Sequence, residues 1–338
     1  MQKVTIIDVA KKAGVSPTTV SRVLNDNTEK HMREETKQRV LKVIRELDYT
    51  PDKYAQFMKK QKSGVIGVLV PDISNQFFSL MVRGVENVCY KNGYSVIICD
   101  TKNSLERENN YIDIVLKERV EGIVLTSSSA HNEQIKKAIK KRIPVILADR
   151  RLRNVDLPYV GSDGFKDGYK MTQYLIDLGY KKIGFIKGPS EVATALERFK
   201  GYVRAMNKNG LEIGESYIRQ GDYTFEGGYW AAKEMLTSCG RLPQAIIAAN
   251  DLMAIGIIRA FEERGLKIPE NIGIAGFDNI SISSWISPKL TTVEIPAYSI
   301  GQEAASILIK HIRRETKLER NRIVETKLIK GESCIRIK

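Results

Sequence analysis

The fold class that follows from these 338 residues is a small all-α helix-turn-helix head joined to a two-lobed α/β body, each lobe a doubly wound parallel sheet. Three observations predict it. Residues 4–25, VTIIDVAKKAGVSPTTVSRVLN, hold two short amphipathic helical segments around a glycine turn. From Gly64 onward, apolar β-rich runs alternate with amphipathic helical ones, the pattern of parallel strands with crossover helices. That alternation occurs twice. Gly67, Gly84 and Gly93 are spaced 17 and 9 apart, as are Gly184, Gly201 and Gly210, and Lys-Asn precedes the last glycine in both sets. The shared offset of 117 residues implies two copies of one α/β unit, and such pairs bind ligands in the cleft between them.

In the head, Thr5 is placed to cap the first helix, with Asp8 in its first turn and Ile6, Val9, Ala10 and Ala13 on one apolar face. Gly14 ends that helix. Ser16 caps the next, and Pro17 stands at its first position, where a missing N–H costs nothing. Val20, Val23 and Leu24 face inward, leaving Pro17, Thr18, Ser21, Arg22 and Asn25 outward as a recognition row. A polar loop, Asp26 to Lys30, leads past His31 to a third helix over about 33–47, with Val40, Val43, Ile44 and Leu47 at helical spacing. A short segment, DKYAQFMKK, follows, with Thr50 as its cap and Pro51 first. A helix of that length does not hold alone in water.

Charge separates head from body. Residues 1–62 carry 14 Lys or Arg against 8 Asp or Glu, a net +6; the other 276 carry 40 against 32, a net +8. The head is the more basic per residue, which suits phosphate binding with counterion release. Cys89, Cys99, Cys239 and Cys334 have no CxxC spacing, so neither a zinc site nor a disulfide framework is indicated, and reduced thiols are expected. Without a signal-peptide segment or an apolar run long enough to span a bilayer, the expectations are a cytoplasmic location and no membrane partner.

In the body, the strand runs are VIGVLV, YSVIIC, GIVLT and IPVILAD, then KIGFIKGP, YIRQGD, AIIAAND and IGIAGFD. Their carboxyl ends carry the informative side chains: Asn75, Phe77 and Phe78; Asp149 and Arg150; Thr194 and Arg198; Tyr223; Asn250; Asp278; and Glu294 where the chain recrosses. Aromatic faces stack on the C–H faces of a polyhydroxylated ring, while each hydroxyl needs a charged or amide partner, so the set has the chemistry of a sugar pocket. Asp251 reads as a helix N-cap, Asp163 as a turn or hinge residue, and Trp285 equally as core or as pocket lid. Enzyme chemistry finds little support. The only histidines are His31, His131 and His311, none beside a nucleophile or carboxylate motif, and there is no G-x-G-x-x-G or P-loop lysine. Asp149 with Arg150 fits a binding clamp better than a catalytic pair, and no cofactor or metal is expected.

The stretch D-V-A-x-x-A-G-V-S-x-x-T-V-S-R-V-L-N resembles the signature of the lactose-repressor/galactose-repressor family of bacterial transcription regulators, and the likeness extends over nearly the whole chain. It implies a DNA-binding repressor whose hold on a double-stranded operator is controlled by a small sugar effector, with a homodimer matching operator symmetry. The resemblance extends the DNA-contacting set to Thr5, Ser16, Pro17, Thr18, Thr19, Ser21, Arg22, Asn25, His31, Ala55 and Met58. Met58 stands where the family's hinge helix carries a leucine that wedges into the minor groove, and Gln56-Phe57-Met58 departs from the usual Arg-Ser-Leu. The body is similar to the periplasmic ribose-binding proteins, to which the repressor bodies are related. Asn75, Phe77, Phe78, Asp149, Arg150, Arg198, Asn250 and Asp278 match that pocket in type, whereas Tyr223 replaces a phenylalanine and Glu294 a glutamine. Ribose or a related aldose is the expected effector. Purine-binding members carry an arginine where Val192 stands, which argues against a purine. The expected domains are the head, 1–49; a hinge helix or linker, 50–63; a first lobe, 64–163 plus 296–324; and a second lobe, 164–295 plus 325–338.

Overall fold

A computed structural model of the chain describes residues 4–24, 32–49, 63–316 and 321–337. It divides into two compact units, Met1–Ser63 and Gly64–Lys338. The first holds three helices: α1 (Ile6–Ala13), α2 (Pro17–Leu24) and α3 (Glu34–Glu46). Thr5 caps α1 in a reciprocal box: its hydroxyl accepts from the Asp8 N–H, and the Asp8 carboxylate accepts from the Thr5 N–H at 2.8 Å. These bonds from Thr5 hold the Asp8 carboxyl below its ordinary range. Gly14 ends the helix at φ +66°, a left-handed conformation that glycine adopts without a Cβ penalty. Ser16 Oγ then accepts from the Thr19 N–H at 3.2 Å to start α2. Val9, Ala10, Ala13, Val20, Val23, Val40 and Val43 close the small core between the three helices.

The second unit contains two parallel sheets, as the doubled alternation predicts. The first runs in the order β2 (Ser95–Asp100), β1 (Val65–Val70), β3 (Gly122–Leu125), β4 (Val145–Ala148), β5 (Tyr159–Gly161) and β11 (Asn321–Ile323). The second runs β7 (Ile218–Gln220), β6 (Ile183–Lys187), β8 (Ala245–Ala248) and β9 (Gly273–Ala275). A separate antiparallel pair joins β10 (Thr292–Glu294) to β12 (Lys327–Ile329). Strand residues are buried almost without interruption in β3, β4 and β8, as sheets covered on both faces require.

Helices α4 (Gln76–Lys91), α5 (Leu105–Lys117), α6 (Ile135–Lys140) and α11 (Ala297–Ile312) belong to the first lobe. Helices α7 (Gly164–Asp177), α8 (Ala193–Lys208), α9 (Phe225–Ser238) and α10 (Asp251–Glu262) belong to the second. The chain passes between the two cores at Asp163, which caps α7 by accepting from the Lys166 N–H at 3.1 Å. It returns between Val293, in the second core, and Ile295, in the first.

The repeated glycines perform matched tasks. Gly84 on α4 and Gly201 on α8 sit where helices cross backbone to backbone: an added Cβ would lie 2.1 Å from the Tyr298 carbonyl oxygen in one case and 2.2 Å from that of Phe165 in the other. The facing positions are also glycines, Gly301 on α11 and Gly168 on α7. Gly228 and Gly256 repeat the arrangement between α9 and α10. Gly93 and Gly210 follow α4 and α8 at φ +77° and +64°, which ends both helices at the same place in the repeat.

Candidate functional site

Between the carboxyl ends of the two sheets lies a cavity lined by Asn75, Phe77, Phe78, Asp149, Arg150, Thr194, Arg198, Tyr223, Asn250 and Asp278. Its empty space is about 260 Å³, including the part open to solvent. Ten of the eleven pocket residues expected from the sequence line this one space.

Each is placed by the element before it. Asn75 and Asn250 are helix caps: Asn75 Oδ1 accepts from the Phe77 N–H at 3.0 Å, and Asn250 Oδ1 from the Met253 N–H at 3.0 Å. The Asn250 amide also donates to the Tyr223 carbonyl at 2.9 Å, tying the β8 and β7 ends together. Thr194 and Arg198 stand one turn apart on α8, and the Thr194 and Tyr223 hydroxyls are 3.4 Å apart. Phe77 and Phe78 meet edge to face, with ring centroids 5.2 Å apart.

Three of these residues adopt left-handed backbone without being glycine: Asp149 at φ +63°, Tyr223 at +71° and Asp278 at +106°. Such conformations store strain and persist only where the surroundings enforce them. The N–H of Asp149 donates to the Val160 carbonyl at 2.8 Å and that of Asp278 to the Val293 carbonyl at 2.9 Å. Tyr223 closes over Gly188, where an added Cβ would lie 2.5 Å from the phenol ring.

Two guanidinium groups cross the cavity. Arg150 lies 5.2 Å from both the Phe78 and the Tyr223 ring centroids, so a cation from the first lobe touches an aromatic ring from each. Its Nη1 donates to Asn103 Oδ1 at 3.2 Å and to the Ser127 carbonyl at 3.4 Å. Arg198 stacks on Phe277 at 4.7 Å, and its Nη1 donates to the Ala249 carbonyl at 2.6 Å. Its Nη2 meets Asp278 Oδ1 at 3.3 Å. Asp149 Oδ2 lies 4.0 Å from Arg150 Nε.

All four charged groups are buried. Burial pushes the Asp278 carboxyl up to about 7 even though Arg198 pulls it down, and burial likewise raises Asp149 against the pull of Arg198 and Arg150. Burial lowers Arg150. It would lower Arg198 too, but Asp278, Tyr223 and Asp149 together outweigh it and keep that guanidinium charged. Asp149 Oδ1, Arg150 Nε and Arg198 Nε are buried without a hydrogen-bond partner among the described residues. One acceptor and two donors are thus left for something to satisfy, since buried polar groups seldom stay unpaired.

Glu294 does not line the cavity. It is half-buried on β10, opposite Lys327, and its backbone bridges to Asp278. The alternation of the strand that sends Val293 into the second core sends the next side chain the other way. Asp251 is not the cap of α10; Asn250 is. Asp251 instead lies inside the protein, where its carboxylate accepts from the Thr292 hydroxyl at 2.6 Å and the Ile280 N–H at 3.0 Å. Trp285 is neither core nor lid, being 81% exposed. Phe277, Asn103 and Gly188 were not singled out by the sequence. Phe277 hides inside the apolar run IGIAGFD, and Asn103 sits in a turn whose approach to Arg150 spans 47 residues.

On the head, Thr5, Ser16, Pro17, Thr18 and Arg22 are exposed, and Thr19 and Ser21 are half-exposed. Ser16 and Thr19 also contact each other through their hydroxyls at 3.0 Å. Asn25, His31, Ala55 and Met58 lie outside the described residues, as does the 50–62 segment. Among the described residues no helix is long and apolar enough to cross a membrane, and no cluster of three His, Cys, Asp or Glu residues could hold a metal ion.

Comparison with known proteins agrees with this layout. Residues 5–52 match the bacterial regulatory proteins of the lacI family, and residues 63–332 match the periplasmic binding proteins and sugar-binding domain of the LacI family. The HTH-type transcriptional repressor PurR of Histophilus somni (strain 129Pt) is 36% identical over 314 residues, 93% of each chain. The ribose operon repressor of Escherichia coli (strain K12) is 34% identical over 328 residues, covering 96% of this chain and 98% of that one. The crystal structure of the lac repressor dimer bound to operator and the anti-inducer ONPF superposes with a TM-score of 0.88 at 25% identity, over 99% of this chain and all of that one. With a matching head, a matching body and relatives of this identity along nearly its full length, the chain belongs to the LacI family of bacterial transcriptional repressors.

Proposed function

We propose that this repressor is a cytoplasmic homodimer that controls sugar-utilisation genes, and that its hold on operator DNA responds to ribose or a closely related aldose in the cavity between the lobes. The observation that carries the sugar is the balance of the cavity. Two carboxyls and two guanidinium groups enclose it, and one acceptor and two donors remain unpaired beside three aromatic rings. A ring with several hydroxyls, each both donor and acceptor, meets those requirements; a purely apolar ligand does not. The ribose operon repressor among the relatives supports the same class. A purine is disfavoured: Val192, where purine-binding members of the family carry arginine, is buried at the start of α8 and contributes no polar group.

For the head, the row of Pro17, Thr18, half-exposed Ser21 and Arg22 enters the major groove, while Thr5, Ser16 and Thr19 contact the backbone. One head reads too few base pairs to be selective, so two heads on a palindrome are required. Fluorescence anisotropy of the purified protein on labelled DNA from upstream of its own gene, with D-ribose, other aldoses or hypoxanthine added, tests both halves. Ribose is expected to change operator affinity by an order of magnitude or more, a coupling of about 1–3 kcal/mol. A response to hypoxanthine and none to any sugar would reject the effector assignment; no selective attachment to upstream DNA would reject the operator role.

A further inference from the structure

Four consecutive residues lead from the cavity to the opposite lobe. Asp278 lines the cavity at the end of the second sheet, and Asp278 and Asn279 both take left-handed backbone, at φ +106° and +53°, which turns the chain away from its own lobe. Ile280, the next residue, is 3% exposed and packs within the core of the first lobe. Leu252 on α10 packs against that same core. Ser281 then meets Gln76, the first residue of α4: the Gln76 side-chain amide donates to Ser281 Oγ at 2.7 Å, and its carbonyl accepts from the Ser281 N–H. From the second-lobe side, the Asp251 carboxylate holds Ile280 by its N–H.

We propose that Gln76 and Ile280 form a latch that holds the two lobes together over the cavity, acting as positioning residues that set effector affinity without touching the effector. The sugar named here rests on the function proposed above; the latch itself does not. Neither residue lines the cavity. The two Gln76–Ser281 bonds join segments 205 residues apart in sequence, and Ile280 leaves the end of the second sheet to pack in the first core. Closing a clamp around a ligand costs free energy, and contacts that pre-arrange the closed form reduce that cost.

A second, separate bridge supplies the readout. The Ala130 N–H, from the loop after β3, donates to the Glu191 carbonyl, from the loop after β6, at 2.6 Å across the lobes. Its amide exchange in the full-length protein reports lobe opening with no ligand present. The Thr126 N–H, bonded to the Leu69 carbonyl at 2.9 Å inside the first lobe, is the control. Gln76→Ala, which removes both bonds to Ser281, is expected to speed exchange at Ala130 about fivefold or more, and Ile280→Ala at least tenfold, with Thr126 unchanged. D-ribose affinity should fall by similar factors in both variants. Unchanged exchange at Ala130, or equal acceleration at Thr126, would overturn the latch. If exchange responds as expected but wild-type protein binds no ribose, the latch stands and the sugar assignment fails.

Discussion

Removing Arg198 has a cost that depends on pH. In the folded chain the guanidinium is buried, donates to the Ala249 carbonyl at 2.6 Å and pairs with Asp278 at 3.3 Å. Among the described residues, Arg198 is the one cation bonded directly to that carboxylate, and Arg198→Ala takes it away. Asp278 titrates near 7 when folded and at the ordinary carboxylate value, 3.8, when unfolded. A folded value above the unfolded one means that this group's contribution is fully present below about pH 4 and is lost as pH rises through 7. Without Arg198 the folded value moves higher still, so the loss continues above pH 7. At pH 6 the acid is mostly protonated in both proteins, and the variant should lose about 2 kcal/mol, from the broken carbonyl bond and the emptied space. Between pH 7 and pH 9 the deficit should grow, by at most about 1.4 kcal/mol per pH unit, toward the range seen when a buried ion pair loses one partner. Urea denaturation followed by circular dichroism at pH 6 and pH 9 measures it. A deficit that is the same at both pH values would refute the account of Asp278. In anisotropy titrations at pH 6 the same variant should still bind operator DNA but no longer respond to sugar.

Three more outcomes follow from the structure. A sugar hydroxyl donating to Asp278 favours the charged carboxylate, so effector binding near pH 7 should release a fraction of a proton; titration calorimetry in phosphate and in imidazole would then give different heats, and equal heats would exclude Asp278 as a ligand contact. Gly201→Ala puts a Cβ 2.2 Å from the Phe165 carbonyl oxygen, and forcing α7 and α8 apart should cost about 1–3 kcal/mol or more by thermal unfolding. Gly240→Ala, with nothing within 4 Å, is its neutral control. Arg22→Ala, at an exposed position of α2, should lose about 1–3 kcal/mol of base discrimination, seen as converging affinities for operator and scrambled DNA.

Most of the frame was legible in the residues. The Thr5–Asp8 box, Gly14 and the Ser16–Pro17 start are local devices, and local chemistry decides them. The glycine repeat was legible because it has one physical cause, helices crossing too closely for a Cβ, and that cause acts at the same place in each lobe. Ten cavity residues could be named because strand ends in a doubled parallel sheet converge on one cleft. What escaped depends on register or on distance. Glu294 was assigned to the pocket from its place in the chain, but a three-residue strand gives no pattern from which to read which face its last side chain takes. Asn250 beside Asp251 is an equally good cap, and the partners that turn the Asp251 carboxylate inward, Ile280 and Thr292, lie 29 and 41 residues away. The Gln76–Ser281 contact spans 205 residues between two polar side chains of ordinary type, which no periodicity marks.

The three helix pairs that cross on facing glycines have a further consequence. Because main chain rests on main chain at each crossing, the spacing of the helices does not depend on the size of any side chain. Chemistry at the mouth of the cleft can therefore drift, one residue at a time, while the scaffold around it stays still. A lineage built this way can acquire a taste for a new nutrient without having to relearn how to fold.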